Sequence, residues 1–273
     1  MRIIRVFPRK TSATPDDDLV RINCAPTLFD VADEVHVSVL FTYDMQRAEE
    51  LARAWECVAP VKIGGPATGD TGGEFVPGRY VKEGFTIHHR GCPNSCWFCA
   101  ERNTDMMLLP IHGGWNDLSS NLLACPKEHF ERVIYSMWWG SKVYGRAPEF
   151  TGGLEAKRLT PWHVAALRAI KPKQMFFAYD TPDDLEPLQR AGRMLLDAGF
   201  TTASHALRAY VLCGWPADTL DAAKSRMQET IDSGFLPMAM LYRDNSGRRD
   251  PVWQKWGRQW ARPSIAASKA EKL

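Results

Sequence analysis

The chain has 273 residues, 45% of them hydrophobic and 24% charged, with 34 Lys plus Arg against 32 Asp plus Glu and a formal net charge of +2. A chain of this length buries a sizeable core without disulfides or metal, and its balance excludes a disordered segment, a collagen-like repeat, a small secreted scaffold and a protein that coats nucleic acid by bulk charge. No stretch approaches 18 uninterrupted apolar residues, and Pro8 and the acidic run Asp16 to Asp18 break the N-terminal region, so neither a signal peptide nor a membrane span is expected and a cytoplasmic location is.

In chain order, Ile3 to Phe7 and the β-branched Val35 to Phe41 predict strands. From Asp44 to Trp55, the residues Met45, Ala48, Leu51, Ala52 and Trp55 recur at three- and four-residue spacing and mark one helix face. Val61 to Ile63 is a shorter strand, so the opening segment reads as a small βαβ unit with parallel strands and a right-handed crossover. Gly64 to Gly78 holds six glycines and two prolines, which predicts a loop and sets the expected boundary after residue 78.

A strand-then-helix rhythm follows. Strands are expected at Phe85 to His89, Phe150 to Gly153, Met175 to Ala178, Ala206 to Leu212 and Pro237 to Tyr242. Thr160-Pro161 opens a helix to about Ile170, and Thr181-Pro182 opens another that stops at Gly199. Asp218 caps a third, ending near Gly234. Such alternation builds a parallel β/α barrel or an open doubly wound sheet, with chemistry expected at the carboxyl ends of the strands.

The seven cysteines are odd in number on a chain without an export signal, which argues for thiols or metal ligands over a disulfide framework. Cys92-x3-Cys96-x2-Cys99 lies directly after a predicted strand, spaced so that one loop can wrap three sulfurs around one centre. Structural thiols and zinc remain open readings, but zinc wants a fourth ligand, and Cys24, Cys57, Cys125 and Cys213 stand alone. A three-cysteine iron-sulfur site with one open iron fits better, and the four lone cysteines are expected to pack as small hydrophobes.

With Phe98 before the last cysteine, this loop resembles that of the radical S-adenosylmethionine (SAM) superfamily. The resemblance implies a partial (β/α) barrel over residues 79–245 and Cys92, Cys96 and Cys99 as metal ligands. They would hold a [4Fe-4S] cluster whose fourth iron chelates SAM, and reductive cleavage of SAM would give a 5′-deoxyadenosyl radical that abstracts hydrogen. Phe98 would belong to the cofactor site. Thr151-Gly152-Gly153-Leu154-Glu155 is similar to the family's glycine-rich motif for the methionine amino group, with Leu154 inserted before Glu155. Tyr179 and Asp180 fall where the family makes ribose or carboxylate contacts, Asp180 reading equally as a solvated residue before the Thr181 cap, and the segment from Tyr210 through Leu212 to Gly214 is similar to the one that packs on adenine. Arg208 shares a strand face with Tyr210 and Leu212; turned into the barrel, the preferred reading, it would hold a carboxylate or a substrate anion, and turned outward it only adds solubility.

Residues 1–78 resemble a shrunken cobalamin-binding-type domain. The Asp-x-His-x-x-Gly loop is absent and His36 sits inside a strand, so cobalamin is not expected. Residues 246–273 form a basic tail. After Tyr242 there are eight Lys plus Arg against three acidic residues, with Trp253, Trp256 and Trp260 on one helical face beside Lys255, Arg258 and Arg262. Those tryptophans either stack on bases or pack back on the barrel, and the last ten residues are expected to fray. The resulting expectation is a radical SAM enzyme served by a flavodoxin- or ferredoxin-type one-electron reductant and acting on a nucleobase, nucleotide or DNA base. Small-metabolite or peptide modification is the alternative, and a non-catalytic iron-sulfur or zinc protein with a nucleic-acid-binding tail is the reading of another class.

Overall fold

The computed structural model describes residues 1–70, 73–248 and 250–260. The chain forms two compact units, Met1–Phe85 with Asp244–Gly247, and Thr86–Arg243 with the described residues from Arg248 onward.

The first unit is a sheet of four parallel strands, β1 (Ile3–Phe7), β2 (Val20–Ile22), β3 (Glu34–Ser38) and β4 (Val61–Gly64), in the order β2-β1-β3-β4. Helix α1 (Met45–Trp55) links β3 to β4, and its face of Ala48, Leu51, Ala52 and Trp55 packs on Ile4, Val6, Val35 and Val37. Strand alternation turns the intervening residues to a polar face. There His36 bonds Tyr80 through Nδ1 at 2.5 Å and Glu34 through Nε2 at 2.8 Å, so both of its nitrogens are satisfied. Trp55 donates its indole N–H to the Cys24 carbonyl. Cys24 and Cys57 are exposed, which corrects the expectation that they pack.

Strand β5 (Phe85–Thr86) falls at the division of the chain, and the second unit continues with the antiparallel pair β6 (His89–Arg90) and β7 (Met107–Leu108), and β8 (Asn116–Asp117). Helix α2 (Lys127–Tyr144) leads to β9 (Glu149–Phe150), then α3 (Pro161–Ile170), β10 (Gln174–Tyr179), α4 (Leu185–Asp197), β11 (Leu207–Cys213), α5 (Leu220–Asp232), β12 (Leu236–Leu241) and α6 (Pro251–Gly257). The main sheet runs β12-β11-β10-β9-β8-β5, sequential neighbours lying side by side, with parallel pairing from β8 to β12. This is the expected mixed α/β architecture, a parallel partial barrel.

One side of that sheet meets the helices. Met175, Phe177, Tyr179, Leu207, Ala209, Val211 and Cys213 join Phe130, Val133, Leu167, Leu188 and Met227 in a single buried core, so Cys213, like Cys125, packs as expected. By alternation, Phe176, Arg208, Tyr210 and Leu212 turn to the opposite face. α6 lies against the end of the sheet. Trp253 and Trp256 pack on the core and Trp260 is 3% exposed, so these tryptophans serve packing. Arg262 and the last ten residues, expected to fray, lie outside the described residues.

Candidate functional site

The cysteine loop is built as a braced excursion between β6 and β7. Gly91 opens it at φ +84°, and a Cβ there would lie 2.1 Å from the Asp105 carbonyl oxygen, so only glycine lets the two ends pass so closely. Cys92 N–H donates to Thr104 Oγ1 at 2.9 Å, Thr104 N–H returns to the Cys92 carbonyl at 3.1 Å, and Asn103 N–H reaches the Asn94 carbonyl at 2.9 Å. A turn then closes by Cys99 N–H to the Cys96 carbonyl at 3.0 Å. All three thiols are free and half-buried. Burial pushes the Cys96 thiol up, and Cys99, Asp180 and Cys92 add to the effect. Burial also raises Cys99, against the Glu101 backbone N–H that favours its thiolate.

From the carboxyl end of β8, Asn121 joins this loop to the glycine-rich one. Its Nδ2 donates to Cys92 Sγ at 3.6 Å and to Glu155 Oε2 at 2.6 Å, and Glu155 also accepts from Arg158 Nε at 2.6 Å. Asn121 is 4% exposed, and its Oδ1 is buried without a hydrogen-bond partner among the described residues. Beneath it lies a buried polar set. His88 Nδ1 meets Asp117 Oδ1 at 2.8 Å and its Nε2 donates to the His112 carbonyl at 3.1 Å. Ser119 Oγ donates to the same Asp117 oxygen, while His129 Nε2 donates to the His88 carbonyl.

Asp180 completes the arrangement at the end of β10. Its carboxyl is pushed up to about 7 by burial and then by Asp184, while the Leu212 backbone N–H favours its charged form. Beyond β11, Arg226 donates to the Leu212 carbonyl and to Asp218 Oδ2, and lies 4.5 Å from the Trp215 ring centroid. Trp97 of the cysteine loop, 48% exposed, sits 6.4 Å from Trp215, 5.5 Å from Tyr242 and edge-on to Phe98 at 5.4 Å. An open aromatic surface therefore adjoins the thiols.

Of the residues singled out in the sequence, the three cysteines, Phe98, Glu155, Asp180 and Leu212 come together here, Gly153 and Tyr210 border them, and Gly152, Tyr179, Arg208 and Gly214 are engaged in neighbouring packing or bonds. A Cβ on Gly152 would lie 2.3 Å from the Ser119 carbonyl oxygen, so that glycine admits the neighbouring backbone, while Gly153, at φ +124°, faces more open space. Tyr179 turns to the helix side and donates its hydroxyl to Glu229 of α5. Gly214, at φ +78°, gives its N–H to Asp218 and would press a Cβ onto Trp253. Arg208 is on the face opposite the helices, as expected, but near the start of β11, over Phe176 at 5.5 Å; Phe176 in turn stacks on Tyr210 at 4.3 Å. Tyr210 reaches the strand ends, its hydroxyl donating to the Thr151 carbonyl at 3.2 Å. Sequence reasoning missed Asn121, Asp117, His88 and Trp97. The run Asn116-Asp117-Leu118-Ser119-Ser120-Asn121, polar and just before a helix, was the signal available.

Among the described residues, no three His, Cys, Asp or Glu side chains converge as a single bound ion requires. Iron-sulfur ligation spreads cysteines over separate irons, and the donor set fits it. Burial, with the neighbouring thiols adding to it, raises the Cys96 and Cys99 thiols, and a metal centre would offset that cost once they ionise.

No protein-family model and no curated protein matches the sequence. Among solved structures, the chain is similar to the radical S-adenosylmethionine methyltransferase TsrM from Kitasatospora setae with cobalamin and a [4Fe-4S] cluster bound. The TM-score is 0.58 at 10% identity, covering 88% of this chain and 74% of that one. The same enzyme with tryptophan substrate and the SAM analogue aza-SAM gives 0.56 at 10% identity, covering 88% and 72%. A match over 88% of the chain is more than the second unit alone supplies, so it extends into the first. The fold is that of a radical SAM structure.

Proposed function

We propose that this chain is a radical SAM enzyme in which Cys92, Cys96 and Cys99 hold a [4Fe-4S] cluster and a one-electron reductant of flavodoxin or ferredoxin type serves it. The observation that carries this reading is the braced Gly91 to Asp105 loop, which brings three free thiols beside Glu155 and Asp180 at the strand ends of a fold shared with such an enzyme. When bound, the cluster supplies the electron that splits the SAM sulfonium into methionine and a 5′-deoxyadenosyl radical.

The chain's own residues bind and orient. Glu155, anchored by Asn121 and Arg158, offers a carboxylate acceptor to a ligand ammonium, and Gly153 leaves backbone open to close approach. Leu212 and Phe98 give apolar surface for a purine, and Tyr210 fixes the glycine-rich loop by its bond to Thr151. The open surface of Trp97, Trp215 and Tyr242 suits a planar ring, and we assign the substrate as a nucleobase or nucleotide on that ground. The first unit is assigned to packing or substrate contact, since it lacks the Asp-x-His-x-x-Gly loop and both nitrogens of His36 are engaged.

Anaerobic reconstitution, iron counting and product analysis test the proposal. The expected result is about four irons per chain, 5′-deoxyadenosine on adding dithionite and SAM, and loss of both in Cys96→Ala. A full cluster in that variant, or no 5′-deoxyadenosine from the loaded wild type, sinks it. With deuterated candidates, the compound that passes deuterium into 5′-deoxyadenosine identifies the substrate.

A further inference from the structure

We infer that Asn121 is a positioning residue that raises the reduction potential of the cluster by donating a hydrogen bond to the Cys92 sulfur, an inference that rests on the cluster reading above. The orientation of its amide is fixed by chemistry. The end that faces both Cys92 Sγ at 3.6 Å and Glu155 Oε2 at 2.6 Å faces two acceptors, and only the NH2 group can serve both. Its backbone is fixed as well, through Asn121 N–H donating to Nε2 of the fully buried His89 at 3.2 Å.

The other end of the amide makes the case stronger. Oδ1 is buried without a hydrogen-bond partner among the described residues, a state that costs about 1–3 kcal/mol in general and calls for a compensating reason. The two bonds from Nδ2 are that reason, because both of their acceptors carry negative charge when ionised and charge-assisted bonds are the stronger kind. A donor on a ligand sulfur stabilises the more electron-rich, reduced cluster, and such outer contacts are a recognised lever on potential. Asn121 also stands between the Cys92 sulfur and the Glu155 carboxylate, whose charge opposes reduction and is countered by Arg158.

The test is a redox titration of the full-length, reconstituted protein, followed by the spin-resonance signal of the reduced cluster without SAM. Asn121→Leu removes the donor at similar volume, and Asn121→Gln keeps an amide. Asn121→Ser shortens the side chain and serves if the leucine variant does not load iron. The expected outcome is unchanged iron content with the reduced-to-oxidised ratio at a fixed potential lowered about tenfold in the leucine or serine variant, equivalent to about 59 mV for one electron, and largely restored in the glutamine variant. Titrations that overlay wild type, or equal shifts in the leucine and glutamine variants, overturn the inference and leave the cluster reading intact. A wild type that takes up no cluster overturns both.

Discussion

At the scale of single residues, the site is made as much by what is absent as by what is present. Gly152 was read from the sequence as a ligand-facing glycine, yet its missing Cβ makes room for the Leu118–Ser119 backbone, with 2.3 Å to the Ser119 oxygen and 2.4 Å to the Leu118 carbonyl carbon. Gly152→Ala therefore forces the glycine-rich loop away from β8, along with the Glu155 it carries. We expect a loss of about 1–3 kcal/mol, the usual range for overpacking, read as a lower urea midpoint at unchanged slope. An unchanged midpoint would mean that the two loops do not pass as closely as described. The cysteines were legible because a covalent spacing survives in any conformation. Asn121 was not, because its value lies in where Nδ2 points across 29 residues to Cys92 and 34 to Glu155, a tertiary fact with no local periodicity.

At the scale of elements, those with a periodic face or a capping signal were legible, and the bounds of the shortest strands were not. α1, α3, β10 and β11 announce themselves by periodicity or by a Thr-Pro start, and α3 begins at Pro161 behind Thr160, as the sequence predicts. β5 and β9 fall in or against the expected strands at Phe85 to His89 and Phe150 to Gly153 but shrink to two residues each, while β8, equally short, has no alternation pattern to register it, yet it carries Asp117. The start of α5 is a more specific miss. Asp218 reads as its cap, but Thr219 takes that position and accepts from Ala222 N–H at 3.2 Å, while Asp218 turns inward to Gly214 N–H and to Arg226. Two substitutions separate these roles. Thr219→Ala should cost about 1 kcal/mol, the ordinary price of a lost cap. Asp218→Ala should cost about 3 kcal/mol or more, because the nearly buried Arg226 guanidinium loses its carboxylate. Equal costs in chemical unfolding would return the capping role to Asp218.

At the scale of the whole molecule, the two units differ in how acid reaches them. Six of the seven histidines lie in the second unit, and burial lowers the pKa of His89, His129 and His163, the last to about 4. His163 is 4% exposed; its Nδ1 accepts from Thr160 N–H and its Nε2 has no partner among the described residues, so protonation gains nothing in the fold. A histidine depressed from 6.5 stays neutral in the folded state while the unfolded chain takes up a proton, so stability falls as pH drops from about 6.5 to about 4. Asp180, raised to about 7, acts in the opposite sense over the same window, since the folded state binds its proton first. In the first unit, Lys62 and His36 hold the Glu34 carboxyl below its ordinary range, and that contribution is lost only as pH falls through the lowered value. Between pH 6.5 and 4.5 the buried histidines weaken the second unit and Asp180 offsets them, so the response of a single group is read only in a variant that removes it. His163→Gln isolates one proton, because glutamine at the third helical position keeps the capping box with Thr160 and does not titrate. Relative to wild type, that variant should recover about 3 kcal/mol between pH 7 and pH 4, with Asp180 cancelling in the comparison. Parallel stability curves for the two proteins across that range would show that His163 does not carry the acid response.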